Sequence, residues 1–140
     1  MNGSNGNEAL LTAIGRVLLA AIFLWAGFGK LMAPGPTIGY FAHVGLPMAP
    51  AAYAVALVVE LLGGLALLVG FQTRIVAAVL ALFCLFTAFA VHGFADQGNA
   101  INAMKNIAMT GGFLFVIAHG AGAFSIDAMR RRSALSHQPA

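Results

Sequence analysis

The sequence predicts an all-α integral membrane protein, a bundle of four transmembrane helices, and three observations point there. Of 140 residues, 61% are hydrophobic and 8% are charged, against about 25% charged residues in an average soluble domain. Mean hydropathy is +0.91, which is more apolar surface than a soluble fold of this length can hide, so lipid is the solvent for most of it. Four stretches, at about 9–31, 49–70, 74–93 and 103–123, reach the roughly 20 mostly apolar residues that a spanning helix needs.

Residues 1–8, MNGSNGNE, are polar and read as a disordered N-terminus. A cleaved secretory signal carries a basic stretch ahead of its apolar core. Here the first 15 residues hold no Lys or Arg, and Arg16 interrupts the apolar part, so this segment reads as a retained span. The loop MAPGPTIGYFAHVGLPM (32–48) opens on Pro-Gly-Pro and closes on Leu-Pro. Between them TIGYFAHVG suits a short amphipathic helix with Tyr40 and Phe41 at the lipid interface. The link FQTR (71–74) is short enough to make the second and third spans antiparallel neighbours. FADQGNAIN (94–102) reads as a polar connector, and residues 124–140 as a basic tail in which Ser125 and Asp127 cap a short helix. Together 9–123 form one membrane domain.

Charge sets orientation and excludes some classes. The net charge is +3, but Arg130, Arg131 and Arg132 supply three of the seven basic residues, beside a span. That is a topology signal, not a nucleic-acid surface. With Arg74 on the same side, the tally places both termini in the cytoplasm. The lone Cys84, without a CxxC motif, argues against a self-contained thiol–disulfide oxidoreductase. The four histidines, His43, His92, His119 and His137, show no helical i, i+3 or i, i+4 pairing, so no metal site is expected. No Ser-His-Asp set or phosphate loop is visible.

Polar residues inside a membrane face protein or a water-filled cavity. Arg16, Ala20, Phe23, Gly27 and Lys30 repeat by four and three on the first span, and Tyr53, Ala56, Glu60, Gly63, Gly64 and Leu67 share a face of the second. Counted from the inner ends of their spans, Arg16 and Glu60 differ in depth by about 4–5 Å, which predicts an Arg16–Glu60 ion pair. Glu60 with Arg16 is the candidate catalytic or proton-exchanging centre, and the same pair serves equally well to fix helix register. Lys30, His92, Asn102, Lys105 and Asn106 fall at the outer mouth of the lane. Lys30, Tyr53, Gly63, Gly64, His92, Lys105 and Asn106 are the candidate ligand-binding residues. Gly63, Gly64, Gly111 and Gly112 also suit close helix approach.

Three stretches, RVLLAAIFLWAGFGK, ELLGGLALLVGFQTR, and FAVHGFADQ followed by MKNIAMTGGFLF and GAGAFSID, stand in an order and spacing that resembles the DoxX family of small bacterial membrane proteins over about 9–130. The resemblance implies a four-helix inner-membrane protein. It carries family positions onto Arg16, Lys30, Glu60, Gly63, Gly64, Gly70, Thr73, Arg74, His92, Lys105 and Asn106. It also implies a quinone-linked or redox-stress setting, with soluble redox proteins as partners of some members. The expected role is therefore a quinone-linked redox accessory subunit with Glu60 exchanging protons. A quinone is the expected ligand, no cofactor is covalently held, the electron carrier comes from a partner, and a soluble redox protein or a second copy of the chain is the expected partner. Two alternatives stand beside it: a non-catalytic assembly subunit, and a small proton-coupled transporter, against which an Arg16 partner for Glu60 argues.

Overall fold

The fold comes from a computed structural model that describes the backbone of residues 2–136 and side chains from residue 6. Met1 and residues 137–140, His137 among them, lie outside the described residues. Among the described residues there are helices and no strands: α1 (Asn2–Met32), α2 (Pro34–His43), α3 (Ala49–Val58), α4 (Gly64–Val69), α5 (Thr73–Thr87), α6 (Gln97–His119) and α7 (Ile126–Ser136). A π-helical turn, Val59–Gly63, joins α3 to α4 into one rod, and a second, Ala88–His92, extends α5. Four helices are long and apolar enough to cross a membrane, at Gly6–Met32, Ala49–Val69, Thr73–His92 and Gln97–His119.

Each span buries a narrow stripe and offers the rest to lipid. On α1 the buried stripe is Arg16, Ala20, Phe23 and Gly27, the spacing of one helical face. Trp25, on the other face, is 84% exposed, and Leu18, Phe86 and Phe115 are exposed with it. In water such patches would drive association; in a bilayer they are the solvated surface. α1 packs along the α3–α4 rod, and α5 pairs with α6.

The two ends of the bundle differ. Toward the end that carries α7, here the tail side, the core is solid. Leu67, Leu80, Cys84 and Phe113 are fully buried, and the Phe23 and Phe113 rings meet at 5.6 Å between centroids, tilted by 57°. Toward the α2 end, the loop side, a smaller cluster of Phe41, Ala49, Ala56 and Val91 closes the bundle. Phe41 is therefore not at the lipid interface: α2 folds inward over the bundle and seats its ring between α3 and the end of the α5 span.

Three expectations drawn from composition shift. Residues 2–8, read as disordered, continue α1 as helix and are exposed at 6–8. The fourth span starts at Gln97 rather than about 103, because Asp96 caps it by accepting the Asn99 backbone N–H at 3.0 Å and its side-chain amide at 2.6 Å. It ends at Gly120, whose φ of +80° breaks the helix. Asp127 does not cap its own helix. Ser125 Oγ does that, accepting from the Ala128 N–H at 3.1 Å. The Asp127 carboxylate instead accepts the N–H groups of Gln72 and Thr73, each at 2.9 Å, at the start of α5. Its own N–H donates to the Gly70 carbonyl at 2.9 Å.

This tail-side knot yields two predictions. Gly70 has φ +70°, and a Cβ there would run into the Arg16 guanidinium and Ser125. Gly70→Ala should lower the thermal stability of the detergent-solubilised protein by at least about 1–2 kcal/mol from the backbone conformation alone; an unchanged melting profile would contradict this packing. Burial pushes the Asp127 carboxyl up, but the N–H groups of Thr73 and Gln72 and the charge of Arg130 outweigh it and hold the group below its ordinary value. A depressed folded value means that the anchor is in place above about pH 4 and is lost as pH falls through that depressed value. A spin label at Leu135 on α7 should gain mobility in that acid range, and Asp127→Ala should show the mobile spectrum at neutral pH.

Candidate functional site

Between the solid tail-side core and the α2 cover lies a cavity of about 760 Å³, within the roughly 300–1,000 Å³ of small-molecule sites. Every spanning helix and α2 contribute to its wall. The wall is mostly apolar, with Phe23, Phe41, Phe83 and Met109 among its members. Besides the hydroxyls of Thr37, Tyr40 and Thr87, the polar groups are Lys30 from α1, Glu60 from the first π turn, His92 from the second, and Asn102, Lys105 and Asn106 from α6. Asn102 and Lys105 are exposed, whereas Glu60 is buried, so the cavity runs from a polar mouth to a carboxylate at its inner wall.

The centre of the site is an ion pair. Lys30 Nζ donates to Glu60 Oε1 at 2.8 Å, with side-chain exposures of 22% and 7%. Gly27, one turn earlier on α1, makes it geometrically possible. A Cβ at that position would lie 2.8 Å from Leu61 Cδ2 and 3.1 Å from Glu60 Cβ, so only glycine lets α1 pass this close. Helical side chains lean toward the N-terminus, which carries the Lys30 ammonium back to the level of Glu60. The Tyr53 hydroxyl donates to the Lys30 carbonyl at 3.2 Å and ties the end of α1 to α3. Two buried polar atoms on the wall have no partner among the described residues: Glu60 Oε2 and His92 Nδ1.

The expected Arg16–Glu60 ion pair is not formed. Arg16 lies on the tail side, where its Nη1 donates to the Ala121 carbonyl and its Nη2 to the Phe124 carbonyl, both at 2.7 Å. The depth count failed because α1 runs past the bundle on that side. Gly70, not Glu60, is level with Arg16, and ten residues of helix put Glu60 about 15 Å further along. The carbonyls after α6 have no intrahelical partner, and Arg16 supplies one. Arg16 is thus absent from the cavity wall, and so are Tyr53, Gly63 and Gly64. The two glycines admit helices: a Cβ on Gly63 would sit 3.0 Å from Leu80, and one on Gly64 3.0 Å from Leu24. Lys30, His92, Lys105 and Asn106 do border the cavity. Cys84 is buried within the core, and among the described residues no three His, Cys, Asp or Glu side chains gather to hold a metal ion.

The residues that sequence reasoning missed belong to α2 and its flank. Thr37, Phe41 and Leu46 wall the cavity from above, and no spacing rule links that loop to the spans beneath it. The role of Lys30 as the partner of Glu60 was also missed. Its signal was the Gly27-x-x-Lys30 spacing, which pairs a close-approach position with a cation one turn on.

The DoxX family model matches residues 11–93, which include Arg16, Lys30, Glu60 and His92. The chain belongs to the DoxX family. This DoxX protein is 40% identical over 117 residues to the Escherichia coli (strain K12) inner membrane protein YqjF, covering 81% of this chain and 87% of that one. It is 34% identical over 124 residues to inner membrane protein YphA of the same organism, covering 84% and 89%. No solved structure matches it significantly.

The ion pair is testable through its coupling. Removing one partner of a buried pair costs up to about 3–5 kcal/mol, less here because Lys30 keeps some exposure. Lys30→Ala and Glu60→Ala should each destabilise the protein, and the double variant should be clearly less destabilised than their sum. Arg16→Ala should be additive with both, because it acts on the tail. Additive effects for Lys30 and Glu60 in a thermal double-mutant cycle would rule the pair out.

Proposed function

We propose that this integral inner membrane protein of the DoxX family is a quinone-linked redox or redox-stress accessory subunit, and that its cavity receives the lipid-soluble ligand. The observation that carries the reading is the composition of the wall: mostly apolar side chains around one ion pair, one histidine and a mouth of two amides and Lys105. An aromatic ring with two polar ends fits such a wall. A bound quinone would supply two-electron, two-proton chemistry. The chain's own residues hold it, with the aromatic and aliphatic wall around the ring, Lys30 as donor, and Glu60 as the group that takes or returns a proton.

Access comes from the bilayer. Ile22, Val55 and Phe86 belong to the cavity wall and are exposed on the lipid-facing surface, so the ligand enters sideways between spans. The electron carrier is supplied by a partner protein. The tail side, with Arg74 and Arg130–Arg132, lies in the cytoplasm by the excess of basic residues there, which leaves α7 available to a soluble redox partner and turns the cavity mouth away from it. A non-catalytic assembly role is the competing reading, favoured by the filling of Gly63 and Gly64 with neighbouring side chains.

Purification in mild detergent followed by solvent extraction should recover quinone in proportion to protein. His92→Ala should lower that recovery by roughly ten-fold, the loss of one hydrogen bond to a buried group. If no quinone is recovered and an added quinone analogue leaves the melting temperature unmoved, the redox reading fails. The assembly reading instead expects Glu60→Gln to leave complex formation and complex activity intact.

A further inference from the structure

We propose that the cavity selects the reduced, dihydroxy form of its ring ligand over the oxidised, dicarbonyl form. This inference rests on the quinone reading above and adds which oxidation state the site holds.

It starts from the two unpartnered atoms. Glu60 Oε1 is taken by Lys30 at 2.8 Å, while Oε2 is buried on the cavity wall and receives no hydrogen bond. As the anionic half of an ion pair, the carboxylate offers acceptors only. A buried acceptor left without a donor is costly, so the site is completed by a group that donates.

Nearby hydroxyls do not do so. Tyr53 donates to the Lys30 carbonyl. Thr87 turns back to the Phe83 and Cys84 carbonyls of its own helix, and Thr110 to the Asn106 carbonyl. Oε2 is thus open to a donor brought by a ligand in the cavity.

The carbonyl oxygens of a quinone are acceptors. Placed at Oε2, such an oxygen faces another acceptor and leaves the carboxylate unsatisfied. A hydroquinone hydroxyl donates to Oε2 and still accepts from the Lys30 ammonium beside it. His92 Nδ1 strengthens the preference. It is buried, lines the same cavity and has no partner, and it donates or accepts according to the ring's tautomer. A hydroxyl satisfies either state, whereas a carbonyl satisfies only the protonated one. The preference for the reduced form therefore survives either tautomer, and tighter binding of that form moves the bound couple toward reduction.

The test uses the full chain in nanodiscs of quinone-free lipid under anaerobic conditions. The probes are a benzoquinone with a decyl tail and the corresponding hydroquinone, each titrated to equilibrium. The hydroquinone should bind about ten-fold or more tightly, the scale of one hydrogen bond to a charged acceptor. In Glu60→Gln the amide supplies an N–H donor, so the ratio should fall to near one, chiefly through tighter binding of the oxidised probe. Equal or tighter binding of the oxidised probe by the wild-type protein would overturn the inference and leave the quinone reading standing. A wild-type preference that Glu60→Gln does not reduce would overturn the assignment to Glu60. Failure of both probes to bind would sink the quinone reading and this inference together. Should Glu60→Gln not fold, the wild-type ratio decides alone.

Discussion

The bond from Lys30 to Glu60 is the constraint around which the rest is arranged. Inside a bilayer a carboxylate cannot be left to water, so a chain that keeps one at mid-span brings it a cation. Bringing that cation requires α1 to lie almost against the α3–α4 rod, and Gly27 is the position that permits it. Once α1 is held there, its buried stripe of Ala20 and Phe23 meets Leu67, Leu80 and Phe113, and the tail-side core forms. The pair thus marks a boundary, with close packing on one side of it and open space on the other.

The two ends differ in what surrounds their polar groups. On the tail side the charged groups are tied to protein, although Arg16 Nε and Thr73 Oγ1 are buried there without a partner among the described residues. Arg16 serves the carbonyls that follow α6, Asp127 serves the N–H groups that begin α5, and Arg130 lies over the Phe71 ring at 5.6 Å. Helix ends leave carbonyls and N–H groups without intrahelical partners, and the short links after Gly70 and Gly120 place these side chains within reach of them. On the loop side, Glu60 Oε2 and His92 Nδ1 are buried and unserved beside a cavity. The closed end carries stability, and the open end leaves room for a ligand.

Much of the architecture was legible. Four apolar stretches of the right length leave no alternative to a helical bundle, and the four-three repeat of Arg16, Ala20, Phe23 and Gly27 marked the true buried face of α1. Of the cavity's polar wall, Lys30, His92, Asn102, Lys105 and Asn106 could be grouped from depth alone. The partner of Glu60 could not. Depth counted from an assumed span end is wrong by as much as the helix overruns it, and α1 overruns it on the tail side. Asp96 and Asp127 went astray for a related reason. A capping aspartate looks the same in sequence whether it serves its own helix, as Asp96 does, or a helix more than fifty residues away, as Asp127 does.

The two π turns tie the site to the helices themselves. A π turn inserts extra backbone into a helix, is rare, and falls frequently at functional sites. Of the polar side chains on the cavity wall, the two with unpartnered atoms are Glu60, in Val59–Gly63, and His92, in Ala88–His92. The described spans have no π turn on the tail side, where packing is close. The first turn does touch the core, where Gly63 meets Leu80 and Val59 packs against the buried cluster, and both turns also set a polar side chain on the cavity wall. On the cavity wall, the departure from regular α-helix therefore falls on the two residues whose buried atoms have no partner among the described residues, while Arg16 Nε and Thr73 Oγ1, also unpartnered, lie away from the π turns. Backbone and side chain thus converge on one place between the spans, the cavity wall at Glu60 and His92 on which the proposed ligand site rests.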